Sequence, residues 1–500
     1  DAASLQAARE RARRGTLQGP LILLVVVPDR VNKGNLNGTI YAERETRRIL
    51  QLLGRDPTAM TKRAFILAGG TGTRNYPLTL SEAQRNKALL TFGTEANLTH
   101  IFRQILQFAR DDGQGIYVFS SDAPKVIANP QMHQEIGRYG MQVIGAAVPV
   151  ESDLSPYGTM RLDTGNRITA FYEKPDDATK ARVFLAQGIK QVPTNWADYV
   201  FAPDAMTQLV TLYGPLYETY ALDTAGQLFE AAVRTEREWE AIWEARWEAS
   251  ERRPYPLDVW MQIWQAAQTL HDTYGLGFVD AGTDALFADT GTNRIYYDNL
   301  QRLLYDPVLR EALGVTLDPR GFILDPRAEL GPNVVVKPGA IILGPSKILE
   351  GRIEAHAVVI NTVAKSLYAA GRAEGRRKWR QRLDGREVEL EMPVLKRGAM
   401  LVAVDAREDT LITAPNQLLS DVWIMEENVP QKVRVVSELD FEGKGPFTFQ
   451  DGVRVSDVFD VKLWPRPPAE ERLSPEGWSR QQAYSFTDLQ QLSDPEATRV

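Results

Sequence analysis

Cysteine is absent from all 500 residues, which excludes disulfides and thiolate metal sites and leaves the redox compartment unmarked. No apolar run approaches the roughly 20 residues of a membrane-spanning helix, and the longest candidate, Leu21 to Val27, has the length of a strand. Positive charge is not in excess either. A net charge of -7 and a pI near 5.5 count against general nucleic-acid binding, which needs a basic face. No basic and apolar leader opens the sequence, so the cytoplasm is the expected location and no membrane partner is expected. What remains is 43% apolar and 25% charged, a composition with a real core and enough chain for roughly two to four domains.

The stretch from Phe65 to Gly93, FILAGGTGTRNYPLTLSEAQRNKALLTFG, organises the rest. A short buried strand ending at Leu67 and Ala68 breaks into a loop with Gly69, Gly70 and Gly72. Glycine has no Cβ to hold an anion away from backbone N–H groups. Arg74 and Lys87 add positive charge, so the stretch suits phosphate. It is not a P-loop, which ends in Gly-Lys-Ser/Thr, nor a dinucleotide fingerprint, whose third glycine would stand at Asn75. Tight-turn glycines beside a surface arginine are the alternative reading of these residues.

Downstream, a helix from about Leu98 to Ala109 leads to the strand Ile116 to Phe119 and then to Ser120-Ser121-Asp122. A carboxylate at the carboxyl end of a parallel strand faces the crevice where α/β folds bind ligands, although an aspartate there is commonly a turn residue. After a strand from Gln142 to Val150, residues Tyr157 to Pro175 alternate as a β-hairpin turning at Asp163 to Gly165. It ends in Glu173-Lys174-Pro175, a carboxylate and a cation at a strand end. The segment NWADYVFAPDA, Asn195 to Ala205, follows. Trp239, Trp243 and Trp247 recur every fourth residue and stack on one helical face, which points to core or subunit packing. Asp289-Thr290-Gly291-Thr292 precedes a further helix, with Thr292 suited to cap it. From Phe322 the pattern changes. Leu324, Leu330, Val336, Ile342 and Ile348 lie six apart, and Ile353 and Val359 continue after a slip of one, the signature of hexapeptide β-helix coils. Residues 369 to 383 are rich in arginine and read as a solvated helix or, alternatively, an anionic effector site. Residues 388–463 read as short strands with a turn at Gly443 and Gly445, and the end of the chain as a loose tail.

These blocks together resemble the sugar-1-phosphate nucleotidyltransferases: the Gly-Gly-x-Gly-Thr-Arg run, Pro77-Leu78-Thr79, Lys87, the Gly-Arg-Ile-like hairpin with Glu173-Lys174-Pro175, and Asp289 in Asp-x-Gly-Thr. Arg85-x-Lys87, Phe92-Gly93 and Tyr199-Val200-Phe201 are closest to the ADP-glucose pyrophosphorylase branch. The resemblance implies an α/β architecture, a Rossmann-like nucleotidyltransferase domain at 60–316 and a short left-handed parallel β-helix at 317–362; beyond it the residues themselves read as a basic helical connector at 363–387 and a β-rich region at 388–500 with a loose tail. Ahead of the resemblance, residues 1–59 read as a small α/β extension: a charged helix around Ala3 to Arg14, an edge strand from Leu21 to Val27 and a packing helix from about Tyr41 to Leu53.

The activity it implies is ATP plus glucose 1-phosphate giving ADP-glucose and pyrophosphate, with another nucleoside triphosphate or sugar as the variant. By the same resemblance, Leu67, Ala68, Gly69, Gly70, Gly72 and Thr73 hold the nucleotide. Arg74 and Lys87 neutralise the triphosphate. Glu173, Lys174 and Asn195 hold the sugar phosphate, and Asp122 and Asp289 bind Mg2+. Assembly into a homo-oligomer through the β-helix is also implied. Three departures stand out. Asn86 and Ala88 flank the lysine where the family has a proline, Trp196-Ala197-Asp198 replaces a small Ser-Met-Gly, and the segment between Gly93 and Asp122, which carries part of the family's base-reading loop, is short. They keep open a non-catalytic regulatory subunit as the alternative. A hexapeptide acyltransferase is less favoured, since His356 is the sole histidine in the coil region.

Overall fold

The computed structural model describes residues 23–28, 34–52, 56, 62–68, 75, 78, 87–110, 115–121, 123–127, 129, 131–152, 154, 157–249, 255–282, 285–383, 386–426 and 429–439. They divide into two compact units, one drawn from 1–69, 101–121 and 125–287, the other from 70–100, 122–124 and 288–500.

The first unit is a mixed α/β sheet. Its strands are β1 (Leu23–Pro28), β2 (Lys62–Ala68), β3 (Gly115–Ser120), β4 (Met141–Gly145), β5 (Asp198–Phe201) and β6 (Leu276–Asp280), in the spatial order β1-β2-β3-β5-β4-β6. β1, β2 and β3 are parallel, β6 is parallel to β4, and β5 runs antiparallel between β3 and β4. Residues of β3 and β4 are buried along their whole length, as expected of strands covered on both faces. Because β5 is reversed, its first residue, Asp198, lies at the edge of the sheet where β3 ends.

Helix α1 (Asn35–Leu52) connects β1 to β2. Its Leu36, Ile40 and Ala42 join the same buried cluster as Phe65 and Val118. The buried Asn37 amide donates to Tyr217 O at 2.8 Å and Tyr220 O at 2.9 Å and accepts from Leu222 N at 2.6 Å. Beneath it Glu43 accepts from Arg63 at 2.5 Å and Arg47 at 2.7 Å. The edge strand and packing helix read from residues 1–59 are thus built into the first unit's own sheet and core. The helix expected at Ala3 to Arg14 lies outside the described residues.

A second, four-stranded sheet carries the expected hairpin, Gly158–Leu162 against Ile168–Glu173, with Asp163 closing the turn by accepting from Gly165 N and Arg167 N. Helix α2 (Asn97–Arg110) precedes β3, and α3 (Pro203–Tyr217) follows β5. The tryptophan stripe begins on α4 (Glu236–Ala249) and meets α5 (Leu257–Tyr274). Trp239 stacks on Trp260 at 4.0 Å, each indole donating to the other's carbonyl. Both are fully packed, which leaves neither face open to a base.

In the second unit, helix α6 (Asn293–Arg302) is capped by Thr292, whose hydroxyl accepts from Ile295 N. The strands after it pair in parallel, Ile323 with Ile341, Ile341 with Val358, and Glu329 with Lys347. The six-residue pattern read from the sequence is the inward face: Phe322, Ala340, Ile342, Ile348, Ile353 and Val359 form one buried cluster, with Leu324, Leu330 and Val336 packed against it.

Two expectations fail here. The repeat does not stop near 362, because Met400–Val402, Asp405–Ile412 and Gln417–Glu426 pair onto the same two sheets. And the arginine-rich stretch is not a helix. Ala373–Leu383 is a strand paired along its length with Arg386–Lys396. The register sets Lys378 opposite Glu391, Arg380 opposite Glu389 and Arg382 opposite Glu387, and strand pairing overrides the helical propensity of these residues. Asp384-Gly385, between the paired Leu383 and Arg386, is a strong hairpin dipeptide. The turn expected at Gly443 and Gly445 and the loose tail lie outside the described residues. Among the described residues no helix is long and apolar enough to cross a membrane.

Candidate functional site

In the second unit, two of the expected site residues converge. Lys87 opens a short 3-10 turn, Lys87–Leu89, and is buried. Its ammonium donates to Gly291 O at 3.4 Å, across 204 residues of sequence. Gly291 is two residues from Asp289, and Asp289 Oδ1 in turn accepts from Gly291 N at 2.7 Å. A Cβ at Gly291 would come within 2.9 Å of both Asp289 carboxylate oxygens, so a side chain there would push the carboxylate from its place. Asn299 donates to Asp289 O at 2.6 Å, and Thr292 begins α6. A cation and a carboxylate are therefore placed on one rigid turn at a helix start.

That helix is fastened to the parallel coils. Tyr297 donates to His356 O at 2.6 Å, Gln301 Oε1 lies 2.9 Å from His356 Nδ1, and Asp298 takes both arms of Arg397 at 2.8 and 2.7 Å. His356 is consumed by this junction. Burial, with the Arg372 charge, holds its imidazole below the ordinary histidine value. Nothing in this arrangement makes it a base for acyl transfer.

In the first unit, the carboxyl ends of β2 and β3 are tied by Ser121, whose hydroxyl donates to Leu67 O at 2.9 Å. Leu67 and Ala68 are buried strand residues. Beside them is a pair that sequence reasoning missed: Lys125 and Asp198 form a buried ion pair, Lys125 also donates to Ser120 Oγ at 3.0 Å, and Asp198 accepts from Ser120 N at 3.0 Å. The only signal was the departure at Asp198, and no rule pairs it with Lys125 across 73 residues.

The hairpin end is different. Lys174 is 57% and Glu173 33% exposed in their side chains, with their charges 3.9 Å apart. Lys174 takes φ 49°, a conformation that costs a non-glycine residue about 1 kcal/mol or more and that collects at functional positions. Asn195, in contrast, is turned inward: its Oδ1 accepts from Ala197 N at 2.8 Å and its Nδ2 lies 3.4 Å from Tyr199 OH. Ala197 sits at φ 57°, which this contact supports. Trp196 is buried against Phe287 at 5.8 Å, and burial pushes the Tyr199 phenol well above its usual range. Gly69, Gly70, Gly72, Thr73, Arg74 and Asp122 lie outside the described residues.

Residues 83–300 match the family model described as Nucleotidyl transferase. The match supports a nucleotidyltransferase fold and enzyme class for that segment, which contains Lys87, Asp122, Lys174 and Asp289 and begins downstream of the glycine loop. No curated protein matches the chain. Among the described residues no three acidic or histidine side chains form a metal site by themselves. Magnesium asks for less, since it is held by one or two carboxylates completed by substrate phosphates and water, and the Asp289 turn offers one such oxygen donor.

Proposed function

We propose that the protein is a cytoplasmic sugar-1-phosphate nucleotidyltransferase that joins ATP and glucose 1-phosphate to give ADP-glucose and pyrophosphate. The observation that carries this reading is the fixed placement of the Lys87 ammonium on the Asp289 turn within the matched segment. In this reading the sugar phosphate oxygen attacks the α-phosphorus and the bond to pyrophosphate breaks. No side-chain nucleophile is required, because a phosphate dianion is already competent and the protein contributes position and charge. Lys87 and Arg74 neutralise the triphosphate and the departing pyrophosphate, and Lys174, exposed at its hairpin end, orients the attacking phosphate. Asp122 and Asp289 would hold Mg2+, which when bound draws charge from the phosphate oxygens. Gly69, Gly70, Gly72 and Thr73 would cradle the nucleotide. The coils after 317 are proposed to form a left-handed β-helix through which copies of the chain assemble.

A second reading, a non-catalytic regulatory subunit of the same class, is favoured by one observation. The Asn195 amide is spent inside its own turn rather than offered to a sugar. Pyrophosphate release from each common nucleoside triphosphate, with glucose 1-phosphate and Mg2+, separates the two when run beside Asp289→Ala. Turnover with ATP that disappears in the variant supports the enzyme. Silence with every triphosphate, and with mannose and N-acetylglucosamine 1-phosphates, selects the subunit.

A further inference from the structure

One buried side chain joins the two segments on which this reading depends. Asn97, the first residue of α2, is 0% exposed. Its backbone N–H donates to Leu90 O at 2.9 Å, a main-chain contact at the start of the helix. Nδ2 then spends one hydrogen on Lys87 O and the other on Thr290 Oγ1, each at 3.2 Å. Those partners lie 10 and 193 residues away in sequence. Lys87 O also accepts from Leu90 N at 3.1 Å, so both of its lone pairs are used and the peptide cannot rotate. Asn97 thus fixes the backbone from which the Lys87 ammonium reaches Gly291 to the residue that follows Asp289.

The same amide carries a cost. Its Oδ1 is buried and has no hydrogen-bond partner among the described residues. A buried unsatisfied polar atom gives up its hydration with nothing in return, whereas an apolar side chain of the same shape would avoid that loss. Helix stability therefore does not account for an asparagine here. We infer that Asn97 is a positioning residue, which acts through Lys87 by holding its ammonium in register with the Asp289 turn. The inference rests on the reading of Lys87 as the group that neutralises the triphosphate. The physical gain is preorganisation: a lysine side chain has many rotamers to lose, and a fixed main chain lowers the part lost when phosphate binds.

The test is a cycle of four proteins: wild type, Asn97→Leu, Lys87→Met and the double variant. Melting temperatures establish that each folds. Asn97→Leu is expected to lower kcat/KM for nucleotidyl transfer by on the order of tenfold to a hundredfold, the cost of a misplacement near 1 Å. In the Lys87→Met background the same change should cost less than about threefold, because the two residues act as one. Equal losses in both backgrounds would overturn the inference, as a purely structural role predicts additivity. A second readout is independent of turnover: the rate at which acetic anhydride modifies the Lys87 amine, followed by peptide mass spectrometry. Asn97→Leu, and more weakly Thr290→Val, should raise that rate several-fold without changing other lysines. An unchanged rate overturns the inference even in an inactive protein. A raised rate without any wild-type turnover would sustain the positioning role and remove the proposed reaction.

Discussion

The turn at Asp289 and the strand end at Asn195 are both polar, both buried in part, and both expected from sequence to face a substrate. They use their polar groups in opposite ways. At Asp289, main-chain atoms and the Asn97 amide do the fixing, and the ammonium of Lys87 is brought to the turn from 204 residues away. At Asn195, side chains fix themselves: the amide supports Ala197 in its left-handed conformation, and Asp198 neutralises Lys125. A site built the first way keeps charge available for a ligand. One built the second way spends it on the fold. The difference also bears on the fastening of α6 to the coils through Tyr297, Gln301 and Arg397, because the Asp289 turn inherits the rigidity of that junction.

Four experiments bear on this contrast. The largest effect should come from Asp198→Leu, which strands the buried Lys125 ammonium and should cost about 3–5 kcal/mol in urea denaturation. Adding Lys125→Met should recover most of that loss, and a double variant as unstable as the single would mean that the pair is not the source. Lys87→Met should leave stability nearly intact but reduce kcat by about 10²–10³-fold, the range for loss of one preorganised electrostatic group. Activity within a few fold of wild type would remove Lys87 from the chemistry. Asn195→Ala should cost about 1–2 kcal/mol of stability through the lost turn contact. Its KM for the sugar phosphate should shift by less than about threefold, under 1 kcal/mol. A tenfold rise in KM at unchanged stability would hand that amide back to the ligand.

The smallest effect concerns pH. Burial lowers the pKa of both His356 and His271 in the folded protein, so the unfolded chain binds protons first on acidification. Their contribution is complete above the ordinary value near 6.5 and is lost as pH falls from there to the lowered folded values. Melting curves from pH 7.5 downward should show this decline. His356→Asn, which tolerates the left-handed φ of 66° at that corner, should flatten part of it. A slope identical to wild type would mean that His356 does not contribute.

The inward face of the coils was legible from the sequence because a six-residue period repeats the same physical demand at every turn, and Phe322, Ile342, Ile348 and Val359 met it. The hairpin ending in Glu173-Lys174 was legible for a similar reason, since alternation and a local Asp163 turn specify it within a few residues. The packing role of Trp239 was legible from its place in a stripe recurring every fourth residue, whereas its stacking partner Trp260 was not. The strands beyond 362 were not legible as a continuation, because the inserted hairpin broke the period, and the arginine-rich first strand of that hairpin looked helical because arginine and glutamate favour helices until a neighbouring strand pairs with them. The inward turn of Asn195, the Lys125–Asp198 pair and the bridge made by Asn97 belong to tertiary structure alone. Each depends on where a partner close in space but distant in sequence, or a local backbone twist, sets a single hydrogen-bonding atom, and residue type and spacing carry no record of that.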